Sequence, residues 1–98
     1  MKLITKKIQK KLPELYSQEG KNNDMVAYVK YFCPWNHWTW YGCEFDGKDT
    51  FFGYVVGLEN ELGYFSLTEL ESINFGGLKI ERDLYFEPKK LSEIKGGL

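Results

Sequence analysis

The spacing of apolar residues at the start of the chain predicts an amphipathic helix. The apolar residues recur at intervals of four, four and three positions: Ile4, Ile8, Leu12 and Leu15. This spacing places them on one face of a helix, opposite a face of lysines. Thr5 can cap the first turn, and Pro13 is expected to end or bend the helix.

Further along the chain the pattern becomes that of β-strands. Four segments are rich in β-branched and aromatic residues: 25–32, 38–45, 50–58 and 62–67. Turn signals separate them, the strongest at residues 46–49. Ser66 or Thr68 can cap a short helix, and Pro88 is expected to open a C-terminal helix that Gly96 and Gly97 end. The sequence therefore predicts an α+β fold in a single domain of residues 1–98. Its antiparallel β-meander has about four strands, with the N-terminal helix packed on one face and short C-terminal helical segments.

A four-residue loop at 46–49 would pair positions that sum to 95, such as Tyr41 with Tyr54 and Gly42 with Gly53. One face would then be core and carry Thr39, Tyr41, Cys43, Phe45, Phe52, Tyr54, Val56 and Leu58. The other would carry Trp38, Trp40, Gly42, Glu44, Phe51, Gly53, Val55 and Gly57. Glycines beside tryptophans indicate a groove, which either receives the helix or stays exposed as an aromatic patch for a partner.

Charge is segregated along a chain whose net charge is only −1. Residues 44–71 contain seven acids and one lysine, which could form an acidic surface that meets a basic protein groove. The simpler interpretation is a solvated set of acids in turns and at a helix start. The nearly neutral charge argues against general nucleic-acid binding. The chain has no apolar run long enough for a membrane span and no signal peptide, so we expect a cytoplasmic protein without membrane contact.

No metal or cofactor site is expected from the residue spacing. Cys33 and Cys43 are isolated thiols and His37 is the only histidine, so a zinc site is not indicated. We expect both cysteines to be reduced and partly buried. A small metal-dependent hydrolase, built on carboxylates such as Glu61 and Asp83, is one alternative function. Nothing in the spacing of the acids is specific for it, and we expect that the protein is not an enzyme.

A second alternative is a single-stranded nucleic-acid binding module that stacks bases on a sheet face bearing tryptophans. Trp35, Trp38, Trp40 and Tyr41 could supply the rings. Stacking surfaces usually carry adjacent positive charge, and only Lys30 and Lys48 lie near these tryptophans in the sequence. Packing within the protein is therefore favoured, and direct nucleic-acid binding is not expected.

The order of motifs resembles a small bacterial domain family of unknown function that is carried on plasmids, conjugative elements and phages. Its most specific segments are Glu-Leu-Gly-Tyr-Phe-Ser-Leu at 61–67 and Ile-Glu-Arg-Asp at 80–83. The resemblance extends from the first helix to Pro88. Some relatives are similar to anti-CRISPR proteins that block type II RNA-guided nucleases. The resemblance transfers no catalytic residue.

Together these features predict an accessory binding protein of a mobile element. The leading hypothesis is an inhibitor that occludes the nucleic-acid channel of a type II RNA-guided nuclease of the host. The partner-binding surface is expected to comprise Glu44, Asp46, Asp49, Glu59, Glu61, Glu69, Glu71 and exposed members of Trp35, Trp38 and Trp40. Edge strands in so small a sheet could also pair between two chains and form a homodimer.

Overall fold

Five strands form the central antiparallel sheet in the computed structural model, which describes residues 1–95. These are β2 (Val29–Phe32), β3 (Thr39–Phe45), β4 (Thr50–Val56), β5 (Asn60–Ser66) and β8 (Glu81–Arg82). Their order in space is β5–β4–β3–β2–β8. The predicted meander is therefore confirmed as β2 to β5, and β8 adds a fifth strand beside β2.

Shorter elements surround this sheet. They are α1 (Lys6–Lys11), a 3₁₀ turn (Asn22–Asp24), β1 (Val26–Ala27), α2 (Leu67–Ser72), β6 (Asn74–Phe75), β7 (Leu78–Lys79), β9 (Lys89–Lys90) and α3 (Leu91–Lys95). β1 pairs with β9, and β6 pairs with β7 as a hairpin. None of the helices in residues 1–95 has the length and apolar character needed to cross a membrane.

The N-terminal helix begins and ends as its sequence predicts. The Thr5 hydroxyl accepts a hydrogen bond from the main-chain N–H of Ile8 at 3.2 Å, and helical structure stops before Pro13. Ile4, Ile8 and Leu12 pack into the core that contains Trp40. The helix therefore occupies the groove on the tryptophan-bearing face, as one of the two interpretations predicted.

Both faces of the sheet carry a core, as expected if the helix packs into the groove on the tryptophan-bearing face. The larger core contains Leu3, Leu12, Val29, Tyr31, Cys33, Trp40, Phe45, Phe51, Leu67, Leu70 and Ile80. The smaller core, on the opposite face, contains Met25, Ala27, Cys43, Tyr54 and Leu91. Leu58, predicted as core, is 91% exposed in the loop after β4.

A β-bulge in β3 explains the errors in the predicted faces. Gly42 pairs with Gly53 as predicted, but Glu44 pairs with Phe52, which leaves Cys43 as the extra residue. The bulge moves Phe45 to the tryptophan-bearing face, where its ring stacks on that of Phe51 with centroids 4.4 Å apart. Glu44 moves to the opposite face by the same shift.

Two predicted segments also differ in their boundaries. The segment 25–32 is divided at Tyr28, whose N–H donates to the carbonyl oxygen of Gly42 at 2.8 Å. A strand, β9, follows Pro88, so the last helix begins at Leu91 rather than at the proline. The predicted stop of this helix at Gly96 and Gly97 lies outside the described residues.

Candidate functional site

One end of the sheet gathers aromatic, apolar and acidic side chains. Phe32 pairs with Thr39, and Thr39 pairs with Val56, so the loops after β2 and after β4 lie side by side. The β6–β7 hairpin reaches the first of these loops through a ring stack. We call this surface the aromatic end, and it comprises Trp35, Trp38, Leu58, Glu59, Glu61 and Phe75.

Trp38 is held in place by contacts on several sides. Its indole lies over Gly57, where a Cβ atom would be 2.4 Å from the ring. The Asn36 carboxamide oxygen accepts a hydrogen bond from the Trp38 N–H at 2.9 Å, and the Trp38 and Trp40 rings lie 5.9 Å apart. Glycine at position 57 is thus required by the close approach of an indole.

Phe75 is the exposed ring of the aromatic end, and it covers the half-buried Trp35, which packs against the larger core. Their rings are stacked with centroids 5.8 Å apart and an interplanar angle of 23°. Phe75 is 66% exposed at the start of a hairpin whose turn residues, Gly76 and Gly77, have positive φ angles. Leu58 adds a further apolar side chain, while Glu59 and Glu61 are exposed beside it. This end of the sheet thus presents exposed apolar, aromatic and acidic side chains, a composition typical of protein-binding patches.

Asp46 and Asp49 lie at the opposite end of the sheet, where both organise local structure. One Asp46 carboxylate oxygen accepts hydrogen bonds from the N–H groups of Lys48, Asp49 and Thr50. The Asp49 carboxylate accepts from the Ser66 hydroxyl and from both the N–H and the hydroxyl of Thr68. These hydrogen bonds lower the pKa of each carboxyl below its ordinary value, for Asp46 chiefly through the Asp49 N–H and for Asp49 chiefly through the Ser66 hydroxyl.

Glu69, on α2, joins this second group rather than the aromatic end. Ser66 caps the helix by accepting from the Glu69 N–H, which places Glu69 beside the Asp49 turn. Glu71 is exposed further along the helix. The lysine-rich α1 is also near, because the Gln9 side chain donates to the Gly47 carbonyl oxygen at 3.4 Å. The seven predicted acids therefore do not form one continuous acidic surface.

Glu44 and Trp40 belong to the interior. The Glu44 side chain accepts hydrogen bonds from the N–H groups of Tyr16 at 2.8 Å and Gln18 at 2.7 Å, and the residue is 2% exposed. Trp40 is 9% exposed within the larger core. Both are thus removed from the predicted partner surface, which keeps Trp35, Trp38, Glu59 and Glu61 as one group.

Sequence reasoning missed three residues that matter for this picture. Phe75 and Leu58 contribute apolar surface, and the Gly-Gly turn after Phe75 was a signal for an exposed hairpin. Gln18 is buried and its side chain joins two strands: its carboxamide donates to the carbonyl oxygens of Val26 and Cys43, each at 3.0 Å. No local pattern marks Gln18, because its partners are distant in the sequence.

The candidates for hydrolytic chemistry are not brought together. Glu61 lies on the edge strand β5, whereas Asp83 follows β8 at the other edge and pairs with Lys30 at 3.7 Å. His37 Nε2 lies 3.4 Å from the carbonyl oxygen of Gly57. Among residues 1–95, no group of three or more His, Cys, Asp and Glu side chains is arranged to hold a metal ion.

Comparison with known proteins gives one result. Residues 3–94 match the model of a family described as "Protein of unknown function (DUF2958)". No curated protein and no solved structure matches the chain significantly. The match covers the central sheet, the β6–β7 hairpin and the aromatic end.

Proposed function

The chain belongs to the DUF2958 family of proteins of unknown function, and on this premise we propose that it is a non-catalytic protein that inhibits a nucleic-acid-binding enzyme by occupying its basic channel. The aromatic end is the surface that makes the contact. More specifically, we propose that the protein serves a mobile element and that its target is a type II RNA-guided nuclease of the host, as the family resemblance implies.

The observation that carries this proposal is that the Trp35–Phe75 ring stack, the exposed Leu58 and the carboxylates of Glu59 and Glu61 all lie at one end of the sheet. Buried aromatic anchors supply most of the free energy in many protein interfaces, where truncating one often costs about 2 kcal/mol or more. Carboxylates around such anchors accelerate association with a basic surface and repel nucleic acid. The combination suits a protein that competes with nucleic acid for a basic channel better than one that binds nucleic acid itself.

The rigidity of this surface also favours binding. Trp38 is fixed between Gly57 and Trp40, and the Trp35 ring is already stacked on Phe75. Rings that are ordered before association lose little conformational entropy when a partner covers them. The aromatic end can therefore bind without a folding step.

The test is a plasmid-cleavage assay in which a guide-loaded type II nuclease is titrated with the protein before DNA is added. We expect inhibition that saturates near one equivalent. Trp35→Ala should weaken inhibition by about tenfold or more, the loss of a typical aromatic anchor. The double variant Glu59→Lys, Glu61→Lys should weaken it and reduce its dependence on salt.

The matched control carries the same charge change at the other end of the sheet. Glu14→Lys with Glu69→Lys should leave inhibition within about twofold, because neither side chain belongs to the aromatic end. Full cleavage of the plasmid at a large excess of the protein, across several such nucleases, would exclude type II RNA-guided nucleases as the target. Salt-dependent retardation of a single-stranded oligonucleotide, lost in Trp35→Ala, would instead support the nucleic-acid-binding alternative.

A further inference from the structure

The edge strand β5 is open to pairing along its full length. Its register with β4 is continuous from Asn60 to Ser66, and within the described residues it pairs with no other strand. Leu62 and Tyr64 are 39% and 56% exposed. Natural proteins usually protect such an edge with charged residues, especially lysine, with proline or with a bulge. β5 contains no lysine, proline or bulge, and Glu61 is its one charged residue.

The hydrogen-bond pattern shows which main-chain groups of β5 point outward. The Gly57 N–H donates to the Glu59 carbonyl oxygen at one end of the hairpin, and the Leu67 N–H donates to the Asp49 carbonyl oxygen at the other. Hydrogen-bonded pairs alternate in an antiparallel ladder, so odd-numbered residues of β5 bond to β4. The main-chain groups of Asn60, Leu62, Tyr64 and Ser66 therefore face away from the sheet.

We propose that β5 pairs with β5 of a second copy of this chain, antiparallel about a two-fold axis at Gly63. Positions then sum to 126, so Leu62 of each copy faces Tyr64 of the other, and Asn60 faces Ser66. The main-chain N–H and C=O groups of these four residues face away from their own sheet. Each can bond to the residue opposite it in the other copy, which gives about eight main-chain hydrogen bonds between the copies. The two sheets become one ten-stranded sheet, and the inference is independent of the proposed function.

Side-chain complementarity supports a second copy as the occupant of this edge. The apolar Leu62 and Tyr64 cover each other across the axis, which buries the exposed apolar patch of both copies. Glu61 of each copy faces Phe65 of the other copy, so the two Glu61 carboxylates are not opposite each other. The two Glu61 positions lie four residues apart along the paired strands, about 13 Å, which exceeds the screening length of about 8 Å at physiological salt.

Gly63 at the axis provides a direct test of this register. Gly63 of one copy faces Gly63 of the other as the central, non-hydrogen-bonded pair. The Cα atoms of such a pair lie about 4.5 Å apart, within the range that a disulfide spans. No atom lies within 4 Å of a Cβ built at Gly63, so Gly63→Cys can be accommodated. In a glutathione redox buffer, Gly63→Cys should form a covalent dimer. Glu61→Cys, on the same face of the same strand, should not, because about 13 Å is too far for a disulfide.

Sedimentation of the unmodified protein provides the second measurement. We expect a monomer–dimer equilibrium, and Leu62→Lys should raise its dissociation constant at least tenfold while the circular dichroism spectrum stays unchanged. Crosslinking of Gly63→Cys no faster than that of Glu61→Cys would overturn the proposal. So would a wild-type protein that remains monomeric up to about 100 µM, a dissociation constant too weak for a specific dimer.

Discussion

Gly53 and Gly63 lie directly opposite each other on β4 and β5, yet only Gly63 has room for a side chain. A Cβ atom at Gly53 would lie 1.8 Å from the Tyr41 carbonyl oxygen and 3.2 Å from the Cys43 nitrogen. Both atoms flank the bulge in β3, so Gly53 permits the close approach of main chains at that point. The opposing glycine has no atom within 4 Å of its added Cβ.

This difference predicts opposite results for the same substitution. Gly53→Ala should lower the free energy of unfolding by about 3 kcal/mol or prevent folding, because the main chain of β3 must move. Gly63→Ala should change it by less than about 0.5 kcal/mol, because no atom of its own chain lies within 4 Å of the added methyl group. Urea denaturation followed by tryptophan fluorescence measures both. Equal midpoints for the two variants would contradict the proposed role of Gly53.

The buried Glu44 carboxylate predicts a second effect on stability. Glu44→Gln replaces one acceptor oxygen with an NH₂ group, which leaves the N–H of Tyr16 or Gln18 facing another donor. We expect a loss of about 1–3 kcal/mol in the free energy of unfolding. The amide protons of Tyr16 and Gln18 should also exchange faster with deuterium, as measured by NMR.

Glu61→Gln is the matched control for Glu44→Gln, since it makes the same change at an exposed position. Its free energy of unfolding should stay within about 0.5 kcal/mol of the wild type. Equal losses in the two variants would mean that the buried carboxylate has no special structural role.

These residues also show what the sequence could predict. The helix beginning at Thr5 and the hairpin around residues 46–49 depend on contacts within a few positions, and both were predicted. The cap at Ser66 is one of the two candidates that the sequence offered. The pairing of Gly42 with Gly53 followed from the loop length alone. Such local rules are sufficient to predict the meander and the bounds of α1, whereas the face that α1 covers was left between two interpretations.

The rest depends on contacts that are distant in the sequence. Glu44 accepts hydrogen bonds from a loop 28 and 26 residues earlier, and no periodicity marks such a partner. The bulge at Cys43 reverses the faces of only two predicted residues, which removes Glu44 from the tryptophan-bearing face. Trp35 and Phe75 meet because β8 pairs with β2 and brings the β6–β7 hairpin near, a long-range arrangement that hydrophobic spacing does not encode.

The lowered pKa of the Asp49 carboxyl predicts how the free energy of unfolding changes at acidic pH. This pKa is lowered in the folded protein by hydrogen bonds from Ser66 and Thr68. The stabilisation is therefore fully present above the unfolded-state pKa of about 3.9 and is lost as the pH falls through the lower folded-state value. The urea midpoint should fall below about pH 4. In Asp49→Asn this contribution is absent, so the decline should be smaller.

Thr68→Val separates the two kinds of donor to Asp49. It removes the hydroxyl donor but keeps the main-chain N–H. We therefore expect a pH dependence between those of the wild type and Asp49→Asn. Superimposable pH profiles for all three proteins would show that the Asp49 hydrogen bonds contribute nothing to acid stability.

The burial of both cysteines predicts that their thiols do not react in the native protein. Burial raises the pKa of the Cys43 thiol to about 12, with the neighbouring Glu44 charge as a smaller cause. Thiolate is the reactive form, so at pH 8 only about one Cys43 in 10,000 is reactive. Cys33 is buried in the larger core, on the opposite face of the sheet from Cys43, so the two thiols cannot form a disulfide without unfolding.

Ellman's reagent should detect almost no thiol in the native protein and about two in guanidinium chloride. The single variants Cys33→Ser and Cys43→Ser should each leave about one. Rapid native reaction that persists in Cys33→Ser would show that Cys43 is accessible and that the smaller core opens readily.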